Sequence, residues 1–175
     1  MKKWLVALLI IVCIVVGWAL WQKLSERKPV TPPTREVRTV REVTLYFGSR
    51  DASHLVPEFR TIEFEGGVAA GLRKVIEELI SGPQGESVPT LPSATRLLAV
   101  YLSKNTAYLD FSREIVDDFG GGTAAEYMLV ASVVQTVCSN FPQVDAVRIL
   151  VEGKEVDTLG GHLLISKPLK PADWR

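Results

Sequence analysis

At 175 residues the chain has room for one ordinary domain with extras, since single domains usually occupy roughly 100–200 residues. Twenty Lys and Arg balance twenty Asp and Glu, and a formal net charge of zero excludes an overall electrostatic pull toward nucleic acid or acidic polymers. The two cysteines, Cys13 and Cys138, form neither a disulfide framework nor a Cys-x-x-Cys pair, so no redox compartment follows from them.

From Trp4 to Trp21 the sequence carries no charge, close to the roughly 20 apolar residues that cross a hydrocarbon core as a helix. Eleven of these residues are Leu, Ile or Val; at about −0.3 to −0.6 kcal/mol each, they favour insertion by about 3–7 kcal/mol. Trp4, Trp18 and Trp21 stand near the ends, flanked by Lys2, Lys3, Lys23, Arg27 and Lys28, as interfacial anchors do. Residues 1–22 are therefore expected to be a transmembrane helix in contact with lipid, with a short N-terminus inside and the rest outside. A cleaved signal peptide is the competing reading, because the start is basic and Val15, Gly17 and Ala19 supply small residues.

Residues 23–41 read as a spacer, extended by Pro29, Pro32 and Pro33. A domain over 42–170 follows, with a tail over 171–175. Its first strand is Glu42 to Phe47, in which Val43, Leu45 and Phe47 alternate with polar residues. A second extended segment runs from His54 to Phe64, where Pro57 implies an edge or an interruption. Val68, Leu72, Val75, Ile76 and Leu79 recur at three and four residues and specify an amphipathic helix, stopped by Gly82-Pro83. Arg96 to Leu102 is apolar on both faces, as in a central strand, and Ala107 to Phe111 returns after a turn. Thr123 and Glu126 have capping-box spacing ahead of a helix to about Asn140 whose stripe is Tyr127, Val130, Val134 and Val137. Val147 to Val151 is the last strong strand. The fold class is α+β: order β-β-α-β-β-α-β, two helices packed on one face of a mixed, mostly antiparallel sheet.

Several short pieces in this order resemble the GerMN domain of sporulation and spore germination, over roughly 43–169. They are Thr44 to Phe47, Leu55-Val56-Pro57 running into Arg60, Leu79 to Pro83, Leu91-Pro92, Ala107 to Ser112, Glu114, Phe141-Pro142 and Val147 to Gly153. The resemblance implies a membrane-tethered extracytoplasmic module without known enzymatic activity, of a kind that helps build envelope assemblies. Family members can carry two copies of the domain, and this chain carries one. Its motif positions here are Arg60, Gly82, Pro83, Pro92, Asp110, Ser112, Glu114 and Gly153, whose residue types point to structural roles.

Arg60 is expected to form an ion pair, with a carboxylate such as Asp110, and Gly82-Pro83 to end a helix. Asp110, Glu114, Asp117 and Asp118 form the densest carboxylate group but lack calcium-loop spacing or a partner histidine; Asp110 or Ser112 is expected to cap a turn. Gly120-Gly121-Gly122 lacks the Lys of a phosphate loop, and His54 with His162 lacks metal-ligand spacing. No catalytic, metal or cofactor site is expected. The chain reads as an interaction or assembly module of the cell envelope with a protein partner and no nucleic acid. The alternatives are a binding domain for a small ligand or cell-wall polymer and, if the signal is cleaved, a secreted protein.

Overall fold

The computed structural model describes residues 15–18, 20–22 and 38–174. Val15 to Trp18 and Leu20 to Gln22 are helical and exposed; the rest of the expected membrane helix and most of the spacer lie outside the described residues. Among the described residues no helix is long and apolar enough to cross a membrane. Residues 1–35 and 36–175 form separate units.

The second unit is α+β, but its strands form two sheets where the sequence suggests one. Strands β1 (Arg38–Gly48) and β2 (Leu55–Glu65) make an antiparallel hairpin, so β1 begins inside the expected spacer. Helix α1 (Val68–Ile80) follows. Strands β3 (Leu97–Ser103), β4 (Thr106–Phe111), β5 (Ala146–Val151) and β6 (Lys154–Glu155) make the second sheet in that order, with β4 and β5 parallel. Between β4 and β5 lie a one-turn helix α2 (Glu114–Asp117) and the long helix α3 (Thr123–Asn140). The element order thus departs from the expected one by α2 and β6, both too short to leave a periodic signal.

Alternation in β1 sends Val43, Leu45 and Phe47 into the core, where they meet Leu72, Val75, Ile76 and Leu79 of α1, Leu109 and Phe111 of β4, and Ile149 of β5. Helix α3 departs from its single-stripe reading: Met128 to Val134 are all buried, as are Thr136, Val137 and Asn140. A helix hydrophobic on nearly every side is one enclosed by the fold.

The polar residues of α3 explain that enclosure. Ser132, Thr136 and Asn140, four residues apart, share one helix face and run along the outer edge of β1. Ser132 Oγ donates to Tyr46 O (2.6 Å), and Thr136 Oγ1 accepts from Tyr46 N (3.1 Å). Asn140 Oδ1 accepts from Thr44 N (2.9 Å), while its Nδ2 donates to Thr44 O (2.7 Å). Three side chains thus supply what a neighbouring strand would, satisfying buried backbone groups that are costly to leave bare.

This contact fixes the alternation of the hairpin. Thr44 and Tyr46 turn their backbone groups toward α3, so their partners Phe59 and Pro57 turn theirs away from β1. The missing N–H of Pro57 therefore faces the free edge, and the strand runs through it without interruption.

Strand β3 is a correction. It is an edge strand, paired only with β4, and its apolar Leu98, Tyr101 and Leu102 are exposed. Apolar residues on both faces look the same in sequence whether a second neighbour is present or not.

Candidate functional site

Arg60 does not reach Asp110. Its buried guanidinium pairs with Glu58 (2.6 Å) and Glu78 (3.2 Å), donates to the carbonyls of Glu78 and Gly82, and lies over the Phe47 ring. A cation at a helix C-terminus satisfies its orphan carbonyls and suits the negative end of its dipole. Gly82, at φ +87°, takes the left-handed turn after α1, and Pro83 prevents extension. Glu58 completes the clamp by accepting from the backbone N–H groups of Gln84 and Gly85. Burial alone would raise the Glu58 carboxyl, but Arg60 and these two amides outweigh it and hold it below the usual range.

The acidic group does not converge. Asp110 Oδ1 accepts from Gly153 N (2.7 Å), capping the turn beyond β5, where positive φ at both Glu152 and Gly153 gives the tight hairpin turn to β6. Ser112 Oγ accepts from Arg96 N, Glu114 pairs with Arg96 and Asp117 with Arg113. The carbonyl of Pro92 closes a turn on Thr95 N. Among the described residues no group of three His, Cys, Asp or Glu is placed to hold a metal. These positions hold turns and corners.

The expected capping box does not form. Gly122 is the N-cap of α3, without a side-chain bond, and Glu126 turns instead to the C-terminal segment. Its buried carboxylate accepts from the backbone N–H groups of Leu159 and Gly160 (both 2.8 Å), His162 (2.9 Å) and Leu163 (3.2 Å). Burial opposes its charge, yet four amides outweigh burial and lower its pKa. Gly160 passes so close to Phe119 that a Cβ would lie 2.5 Å from its ring, so any larger residue there would have to displace the ring. The Cys138 thiol, half-buried, is pushed up to about 11 by burial and then by Asp145, so it is protonated and inert at neutral pH.

Two features of the surface stand out. One is β3. The alternation of the β3–β4 hairpin turns the N–H and C=O of Val100 and Leu102 outward, and no described residue takes them. Arg73 of α1 covers only the carbonyls of Leu97 and Leu98. No Pro or charge lies within Leu97–Ser103. The free edge of β2, by contrast, carries Pro57 and Glu63, devices that discourage strand addition.

The other is a cavity of about 440 Å³, within the roughly 300–1,000 Å³ typical of ligand pockets. Tyr46 of β1, Tyr127 and Gln135 of α3, His54 of the β1–β2 turn and Trp174 line it. The Tyr127 and Trp174 rings stand 5.4 Å apart. Gln135 Nε2 donates to the carbonyls of Pro171 and Trp174, so residues 171–174 of the expected tail pack against α3, with Pro171–Asp173 a short 3-10 turn. Sequence reasoning missed this site because its residues are separated by up to 128 positions, from Tyr46 to Trp174, with no local spacing to reveal them.

Residues 44–157 match the family described as Germane: Sporulation and spore germination. The chain is similar to a candidate lipoprotein from Clostridium perfringens, at 28% identity and a TM-score of 0.57 over 77% of this chain and 89% of that one. It is also similar to the tandem GerMN domains of the sporulation protein GerM from Bacillus subtilis, at 22% identity and a TM-score of 0.61. That alignment covers 77% of this chain and 48% of the tandem, so the chain spans about half the tandem's length. The first GerMN domain of the same protein aligns over 77% of this chain and 99% of that domain, at 23% identity and a TM-score of 0.58. No curated protein matches the chain.

Proposed function

Because the chain belongs to the Germane family of sporulation and spore germination, we propose that it is a non-enzymatic assembly module of the cell envelope, held at the membrane by residues 1–22, that takes a strand of a partner protein onto β3. One observation carries this reading: β3 is an unguarded edge, with free backbone groups at Val100 and Leu102 and with Tyr101 57% exposed. An extended peptide added there gains main-chain hydrogen bonds, and the apolar side chains supply selectivity. The uncharged stretch from Trp4 to Trp21 and the likeness to a candidate lipoprotein support an extracytoplasmic, membrane-tethered location.

The test uses a photo-crosslinking amino acid at Tyr101 in native membranes, with Phe59 of β2 as the control position. One reproducible protein neighbour is expected at Tyr101 and not at Phe59. Leu102→Pro removes an outward N–H without touching the β4 pairing, as Pro57 does in β2, and is expected to abolish that crosslink. A crosslink that survives Leu102→Pro, or no reproducible neighbour at all, refutes the strand-addition reading.

A further inference from the structure

Most polar groups of the aromatic cavity can be assigned a direction. Asp51, beside its rim, accepts hydrogen bonds from the hydroxyls of Ser49 and Ser53 and from Ser53 N, which lower its pKa to about 2. An ionised Asp51 can only accept, so the single proton of Ser53 Oγ is committed to it. The 2.8 Å contact between Ser53 Oγ and His54 Nδ1 therefore runs from the ring N–H to the hydroxyl, and in the neutral ring Nε2 is left as an acceptor. Gln135 is oriented by its two Nε2 bonds, which leaves Oε1 as a second acceptor without a partner. Ser139 donates to Tyr46 Oη, which frees the phenol proton to donate, and no described residue takes the Trp174 Nε1–H.

Among the described residues the lining thus carries three aromatic rings, two acceptors and two donors, and no Asp, Glu, Lys or Arg. An anion finds no cation among the described lining residues and meets the charge of Asp51 nearby. A purely apolar ligand would leave four polar atoms dry, each a desolvation cost. A proline-rich peptide stacks well on aromatic rings but brings carbonyl acceptors with no N–H at its prolines, so Gln135 Oε1 and His54 Nε2 would stay unpaired. A neutral sugar ring satisfies all of these requirements: its C–H face lies on an aromatic ring, and each hydroxyl both donates and accepts.

We propose that this cavity is a binding site for an uncharged pyranose unit of a glycan, separate from the β3 edge. The two sources of such a ring, N-acetylated glycan and plain glucan, share this chemistry.

The full chain, in a detergent without a sugar headgroup, is titrated calorimetrically with N-acetylglucosamine trimer, maltotriose, an oligoglucuronate and a polyproline peptide. Saturable binding of one or both neutral trimers is expected, and which of them binds identifies the source. The loss of one hydrogen bond in Trp174→Phe or in His54→Ala is expected to weaken that binding roughly fivefold or more. His54→Ala, on an exposed turn, keeps the test open where Trp174→Phe unfolds. Leu102→Pro should leave sugar affinity unchanged, so failure of the strand-partner reading and failure of this one are distinguishable. Binding of only the glucuronate or the polyproline peptide, no saturable binding, or affinity unaltered in both pocket variants overturns the proposal.

Discussion

Replacing Glu126 by Gln keeps the shape of the side chain and removes its charge, which makes it a sharp probe of the C-terminal segment. One carboxylate oxygen becomes an NH2 group facing two backbone N–H donors, either Leu159 and Gly160 or His162 and Leu163. A buried donor left without an acceptor costs about 1–3 kcal/mol, so the pair costs about 2–6 kcal/mol. That is a large part of the about 5–15 kcal/mol that stabilises a typical domain. At about 4 °C per kcal/mol for a domain of this size, Tm at pH 7 should fall by roughly 8–24 °C. The effect should shrink in acid. The folded-state pKa of Glu126 is lowered from its ordinary value of 4.5, so its contribution is complete above that value and is lost as pH falls through the folded pKa. Thermal melts of both proteins between pH 3 and pH 7, with limited proteolysis of residues 156–174, check this. A Tm within about 2 °C of wild type at pH 7, or a difference that grows toward pH 3, would refute the reasoning.

Arg60→Met should destabilise by about 2–4 kcal/mol in urea unfolding, because the half-buried Glu58 loses its cation and the carbonyls of Glu78 and Gly82 lose their donor. Asn140→Ala removes the bonds to both backbone groups of Thr44 and should cost about 2–4 kcal/mol; hydrogen exchange at Thr44 N should accelerate at least as much as global unfolding predicts. In a Cys13→Ser background, Cys138 should react with a maleimide far more slowly than free cysteine at pH 7.5, and faster with each step of pH toward its pKa of about 11.

What could be read from the sequence was local. Val43, Leu45 and Phe47 announce the inner face of β1, the apolar spacing from Val68 to Leu79 announces α1, and Gly82-Pro83 announces its stop. The family resemblance, carried by such pieces in order, is matched by the family found over 44–157. Pairings made across the fold left no such trace. Thr123 to Glu126 has the spacing of a capping box, but a carboxylate with four amides to bind gains more than one with a single N-cap N–H. Ser132, Thr136 and Asn140 stand four apart in the sequence of α3, but only the position of β1 shows what they serve. The aromatic cavity and the second sheet both depend on contacts between distant segments.

The four amides around Glu126 also impose an order on folding. A chain emerging N-terminus first completes α3 well before Leu159 to Leu163 exist, so the carboxylate must stay hydrated, or take up a proton, until they arrive. The helix cannot settle fully into its enclosed place with a naked charge in its first turn. Its N-terminal end should remain loose until residues 159–163 are made, and the body should lock only when that segment packs back over it. The closing step is then a latch thrown by a segment made after α3, and a polypeptide stopped short of residue 159 should stay open at the place where a longer one is shut.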